Sequence, residues 1–234
     1  MVDDRTQDTP EVLERALVVH AGAAALEGTL ASPAQPTGVI AFAHGSGSSR
    51  FSPRNRFVAT SLQRRGFATF LLDLLSAAEE EVDLRRRQMR FDIDLLAERM
   101  GAAVGTLAAD AATTRLPVGL FGASTGAAAA LVAAARHPTV VCAVVSRGGR
   151  PDMAGDQLAR VRAPTLLIVG ERDTSVIELN RAALAALAGP KALALVPGAT
   201  HLFEEHGALE EVAALAGRWF EQHLATGEAA PSDG

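Results

Sequence analysis

Ser124, Asp173 and His201 are the residues of this 234-residue chain whose types and surroundings point to chemistry. Ser124 is the centre of Gly122-Ala123-Ser124-Thr125-Gly126, a G-x-S-x-G pattern. The glycines have a mechanical reason: a strand that turns abruptly into a helix crowds its neighbours, and small residues let the serine stand proud. A serine hydroxyl is a weak nucleophile until a base takes its proton, so the pattern demands a histidine and a carboxylate elsewhere. Asp173 follows Gly170-Glu171-Arg172 after the apolar run 165–169, and His201 follows Pro197-Gly198-Ala199-Thr200 after the run 192–196. Both therefore fall on loops at the carboxyl edge of a sheet, where α/β active sites collect. Glu171, Glu204 and Glu205 are the competing acids.

Attack on an ester also builds negative charge on the carbonyl oxygen, which backbone N–H groups must receive. The Thr125 N–H is one donor by position. The loop His44-Gly45-Ser46-Gly47, after the apolar run 38–43, permits close backbone approach and supplies the second, with Ser46 favoured over Gly45. Arg50 and Arg54 lie beside that loop, and Arg147 and Arg150 lie just beyond another strand's carboxyl end. Each could hold an anionic group of a substrate; the plainer alternative is a set of solvated surface arginines.

The elements that must position these residues are short aliphatic runs bounded by Gly and Pro, with stretches of helical period between them. That is the signature of βαβ units. Strands are expected at 16–20, 25–30, 38–43, 67–72, 117–121, 140–145, 165–169 and 192–196, the first two forming an antiparallel edge. A helix capped by Ser52-Pro53 should stop near Gly66. A long one carries Ile93, Leu96, Met100, Val104 and Leu107, with Glu79-Glu80-Glu81 as a charged, solvated entrance. Further helices are expected at 127–136, at 156–161, and from the capping box Ser175–Glu178 to Gly189-Pro190. The last, 208–224, places Leu209, Val212, Leu215 and Trp219 on one face. The fold class is thus α/β: one domain over 10–225, a mainly parallel twisted sheet with helices on both faces, and tails at 1–9 and 226–234 expected to be flexible. The segment between 145 and 165 is too short for a large cap domain, so the site should be open and shallow.

Composition narrows the partners. With 48% hydrophobic residues the chain can bury a substantial core, and a net charge of −5, from 22 Lys+Arg against 27 Asp+Glu, supplies no basic field for a phosphate backbone. Nucleic acid is not expected as a partner. The single cysteine, Cys142, lies in an apolar run and reads as a small buried hydrophobe. The polar, acidic start Met1–Asp8 lacks the features of a secretory signal, and the uncharged stretch 116–135 is broken by Pro117 and three glycines, which favours strand, turn and helix over a membrane span. A cytoplasmic protein is expected. Gly45-Ser46-Gly47 with Asp73 on the next strand hints at a dinucleotide site, but Arg50 replaces the third glycine. His201-Leu202-Phe203-Glu204-Glu205-His206 has the wrong spacing for a metal site. No cofactor and no metal are expected.

The order Ser124, Asp173, His201 is that of the α/β-hydrolase constellation. From about Leu17 to Leu224 the chain resembles a compact α/β-hydrolase, similar to the dienelactone-hydrolase-like branch. The residues carrying the likeness are His44-Gly45-Ser46-Gly47, Gly122-Ala123-Ser124-Thr125-Gly126, Asp173 and His201. Dienelactone hydrolases proper use a cysteine nucleophile; here Ser124 stands in that place, and Cys142 is in the wrong element to replace it. The resemblance implies the fold and a nucleophile, base and acid, without fixing a particular ester. The expected activity is hydrolysis of a small carboxylic ester, thioester or lactone through an acyl-enzyme on Ser124. The alternatives are a non-catalytic binding protein on the same fold, or a nucleotide-binding protein using the loop Gly45–Gly47.

Overall fold

The computed structural model describes residues 11–224, so both expected tails lie outside the described residues. Eight strands form one sheet: β1 (Val12–Ala21), β2 (Ala24–Pro33), β3 (Val39–Ala43), β4 (Ala68–Leu72), β5 (Val118–Ala123), β6 (Val141–Arg147), β7 (Thr165–Gly170) and β8 (Lys191–Val196), in the order β1-β2-β4-β3-β5-β6-β7-β8. β1 pairs antiparallel with β2 and β2 antiparallel with β4; all other pairs are parallel. Every residue of β3, β4, β5 and β7 is buried. Unbroken apolar runs are what strands covered on both faces require.

Helices supply the two covers. α3 (Ile93–Ala109) and α4 (Thr125–Arg136) pack on one face, where Leu96, Met100, Val104 and Leu107 meet Ala128, Leu131 and the inner side of β3 and β5. α1 (Pro53–Arg64) and α6 (Ala208–His223) close the other, where Val58, Leu62, Val212 and Phe220 pack on Ile40, Phe121 and Val145. Between β6 and β7 there is only a 3-10 segment, Pro151–Arg160, broken at Gly155. With no cap there, the carboxyl end of the sheet stays accessible.

Four local expectations change. Glu79-Glu80-Glu81 belongs to a separate helix, α2 (Ala77–Arg86), because Ser76 and Glu79 form a full capping box and Arg87, at φ 51°, turns the chain out before Asp92 caps α3. α5 (Thr174–Ala186) starts before the expected Ser175 box, with Asp173 at its N-cap position and no side-chain cap bond. The Asp173 carboxylate is engaged elsewhere, as described below. On α6 the core face is Val212, Ala213, Ala216 and Phe220, while Leu209, Leu215 and Trp219 flank it half-buried. Cys142 is likewise only partly buried, packed at the edge of the same cluster. The stretch 116–135 is strand, turn and helix, and no helix among the described residues is long and apolar enough to cross a membrane.

Candidate active site

Ser124 occupies the single residue between β5 and α4, at φ 51° and ψ −123°. A positive φ is costly for any residue with a Cβ, and it is maintained because the turn is over-determined on both sides. The Ser124 N–H donates to the Arg147 carbonyl at 3.3 Å, and the Ser124 carbonyl accepts from Ala127 N at 3.1 Å and Arg150 N at 3.0 Å. The flanking glycines let the backbones meet. A Cβ on Gly126 would run into the carbonyls of Ala43 and His44, and one on Gly122 into the backbone of Ala127.

Across the cleft, His201 Nδ1 donates to Asp173 Oδ2 at 2.6 Å. The Asp173 side chain is 12% exposed and the His201 side chain 41%, so the carboxylate is sheltered while the imidazole reaches the open site. Holding Nδ1 as donor leaves Nε2 as the basic nitrogen of neutral His201. The competing acids are committed elsewhere: Glu171 accepts from Gly198 N, Glu205 from Thr200 N, and Glu204 pairs with Arg54. The Glu205 carboxyl is held below its ordinary value by its hydrogen bonds at Thr200.

The oxyanion loop lies against the nucleophile. A Cβ on Gly45 would stand 3.0 Å from Ser124 Cβ, so only glycine permits this approach without displacement. His44 braces the loop: its Nδ1 lies 2.9 Å from the Gly45 carbonyl and its Nε2 accepts from Leu74 N at 3.1 Å. Those partners assign the proton to Nδ1, and burial pushes the pKa of His44 down despite the Gly45 carbonyl and the nearby Asp73 and Glu80. The Ser46 N–H donates to Thr125 Oγ1 at 2.9 Å, so one expected oxyanion donor is engaged by the side chain of the residue that carries the other.

Ser124, His201, Ser46 and Arg147 line one cleft of about 630 Å³, its open mouth included. Of the four arginines singled out from sequence, three are paired with a carboxylate within the chain. Arg50 binds Asp73 through both its backbone N–H and its guanidinium and also pairs with Glu27, which occupies the acid that a dinucleotide reading would need. Arg150 makes a bidentate pair with Asp152. Arg54 lines the cleft and pairs with Glu204. Arg147, the last residue of β6, lines the cleft and is buried. Sequence reasoning missed Ser48, Ser52 and Asn55, which bring the N-terminus of α1 to the same cleft. The Ser52-Pro53 cap was the available signal, because it fixes where that helix begins.

A doubly covered, mainly parallel sheet with a serine on a strained strand-to-helix turn defines an α/β-hydrolase. More particularly, the chain belongs to the dienelactone hydrolase family, whose model matches residues 26–226. A solved structure described as a dienelactone hydrolase from Anabaena variabilis is 55% identical, with a TM-score of 0.89 over 91% of this chain and 99% of that one. Est1E from Butyrivibrio proteoclasticus shares the fold at 16% identity, with a TM-score of 0.74 over 88% of this chain and 98% of that one. Two proteins of Mycobacterium tuberculosis strains, provisionally named phosphoribosyl transferases, are 56% identical over 92% of this chain. The chain spans about half the length of these curated relatives, 48%.

Proposed function

We propose that the protein is a serine hydrolase that cleaves a small carboxylic ester, thioester or lactone through an acyl-enzyme on Ser124. The observation that carries this reading is the Asp173–His201 hydrogen bond of 2.6 Å at a cleft that also exposes the serine of a strained turn. In the reaction, His201 Nε2 takes the hydroxyl proton as Ser124 Oγ attacks the carbonyl carbon. The Thr125 and Ser46 N–H groups receive the oxyanion, the Ser46 N–H being shared with the Thr125 hydroxyl. As the tetrahedral species collapses, the proton on His201 passes to the leaving oxygen or sulfur. Water, deprotonated by His201, then releases the acid and restores Ser124. Asp173 holds the imidazole in its tautomer and stabilises the imidazolium formed in each half-reaction.

The name carried by the mycobacterial relatives is not transferred to this chain. The segment shared with them overlaps the hydrolase-family segment, and the reading is supported there by the Asp173–His201 hydrogen bond at the cleft of Ser124. The test is labelling with a fluorophosphonate probe followed by peptide mass spectrometry. A covalent adduct on Ser124, with none in Ser124→Ala, is the expected result. Folded protein that takes no label and hydrolyses no short-chain nitrophenyl ester would shift the reading to a non-catalytic binding protein.

A further inference from the structure

Among the described residues, Arg147 is a buried cation without a counter-ion. It is 8% exposed, yet its Nε and Nη1 have no hydrogen-bond partner among the described residues. Its one polar side-chain contact is Nη2 to Asn55 Oδ1 at 3.4 Å, and its guanidinium carbon lies 6.0 Å from the centre of the Phe203 ring. Neither replaces an anion: the amide contact is long and the ring supplies only a weak quadrupole attraction. Burial, together with the charge of Arg54, pulls its pKa down to about 10, which still leaves it charged at neutral pH.

The chain handles its other embedded arginines differently. Arg99 has Glu79 and the Ala21 carbonyl, Arg50 has Asp73 and Glu27, and Arg90 has Asp83. A buried charge left unpaired is expensive, so its partner is to be sought outside the described residues. Position says where. Arg147 is in register with Ala123, the residue before Ser124, and its side chain lines the cleft beside the serine. The N-terminus of α1, twelve residues long and with no acid in its first turn, reaches the same cleft through Ser52 and Asn55. Pro53 carries no N–H and Ser52 Oγ already accepts from Asn55 N, so what the helix start adds to the positive field is its dipole. Arg54 stands on that wall too, paired with Glu204, and among the described residues no Asp or Glu lines the cleft. In a protein of net charge −5, this is a local site for negative charge.

We propose that the substrate carries an oxyanionic group, a carboxylate or a phosphate, that seats against Arg147 and the start of α1 while its acyl carbonyl lies at Ser124. The proposal rests on the hydrolase reading for its second half only. Arg147 is the specificity-determining residue, and the anionic group is the counter-ion the fold leaves out.

The test compares kcat/KM for 4-acetoxybenzoate, for 4-acetoxyphenyl phosphate and for the neutral methyl ester of 4-acetoxybenzoate. At least one anionic ester should be preferred over the neutral one by about tenfold or more, a ratio set by one charge-assisted contact. The favoured arm identifies carboxylate or phosphate. The ratio should collapse toward one in Arg147→Met and survive in part in Arg147→Lys. No preference in the wild type, or a preference that Arg147→Met leaves unchanged, overturns the proposal. If Arg147→Met does not fold, as judged by circular dichroism, the wild-type ratio and Arg147→Lys decide. A second measurement separates this proposal from the hydrolase reading: calorimetric titration of Ser124→Ala protein with 4-hydroxybenzoate and with phenyl phosphate. Binding that weakens about tenfold or more when Arg147→Met is added supports the subsite even if every ester proves inert, in which case the hydrolase reading alone fails. Absence of Arg147-dependent binding to both probes sinks the subsite.

Discussion

The two walls of the cleft are finished in opposite ways. On the β7–β8 side, Asp173 is spoken for by His201, Glu171 by Gly198 N and Glu205 by Thr200 N. On the α1–β6 side, Arg147 is left with one long contact to Asn55, and the nearest charge acting on it is another cation. The difference separates two tasks. Groups that must hold one geometry through a reaction are fixed by contacts within the chain, whereas groups that must recognise something are left with capacity for it.

The largest effect should come from the finished wall. Ser124→Ala should lower ester turnover by about 10⁴-fold or more, because the remaining groups have no nucleophile to serve. Asp173→Ala alone should also be severe, and the double variant should be little worse than Ser124→Ala. Steady-state rates on one nitrophenyl ester decide this. Losses that multiply in the double variant would mean that the two residues do not share a mechanism, and the contrast between the walls would lose its catalytic half.

The contrast is sharpened by two arginines whose removal should change stability in opposite directions. Arg50→Met leaves Asp73, 17% exposed, without its guanidinium and should destabilise by about 2 kcal/mol. Arg147→Met removes an uncompensated buried charge and should leave the ligand-free protein as stable or more stable, by about 1 kcal/mol. Thermal unfolding of the two variants beside the wild type reads the signs directly. A fall in Tm for Arg147→Met as large as that for Arg50→Met would show that Arg147 is satisfied within the fold, against the picture of an open binding wall.

Sequence made one wall far more legible than the other. The turn at Ser124 announces itself because its demands are local: glycines on either side, a strand before, a helix after. Asp173 and His201 were readable because each closes an apolar run, which places it at the sheet's carboxyl edge. The arginines were legible as candidates and no further, since Arg50 is cancelled by residues 23 positions away on either side, Glu27 and Asp73. Only the folded register shows that Arg147 meets no carboxylate among the described residues. The capping reading at Ser175 failed for a related reason. Asp173 takes the N-cap position of α5, yet its carboxylate is drawn to His201 on the neighbouring loop after β8, a long-range contact that local periodicity cannot register.

The smallest expected effect belongs to the loop that joins the walls. His44 is held neutral, its Nε2 accepting from Leu74 N and its Nδ1 proton directed to Gly45, so protonation would remove an acceptor from a buried N–H. Its pKa in the folded protein is lowered from the ordinary 6.5, chiefly by burial, so between the two values the unfolded chain binds more protons. The stability this residue contributes is therefore complete above about pH 6.5 and is lost as the pH falls toward its folded value, with a slope of at most about 1.4 kcal/mol per pH unit for one proton. His44→Gln should unfold more easily at pH 7 but lose less stability between pH 7 and pH 5 than the wild type does. His223, whose pKa burial also lowers, is present in both proteins and cancels in the comparison. Equal slopes in urea titrations at the two pH values would show that His44 is not the titrating brace. A shallower slope in the variant would place the acid-sensitive joint of the cleft beneath the oxyanion loop, where the peptide between Gly45 and Ser46 is held from one side by His44 and from the other by Thr125.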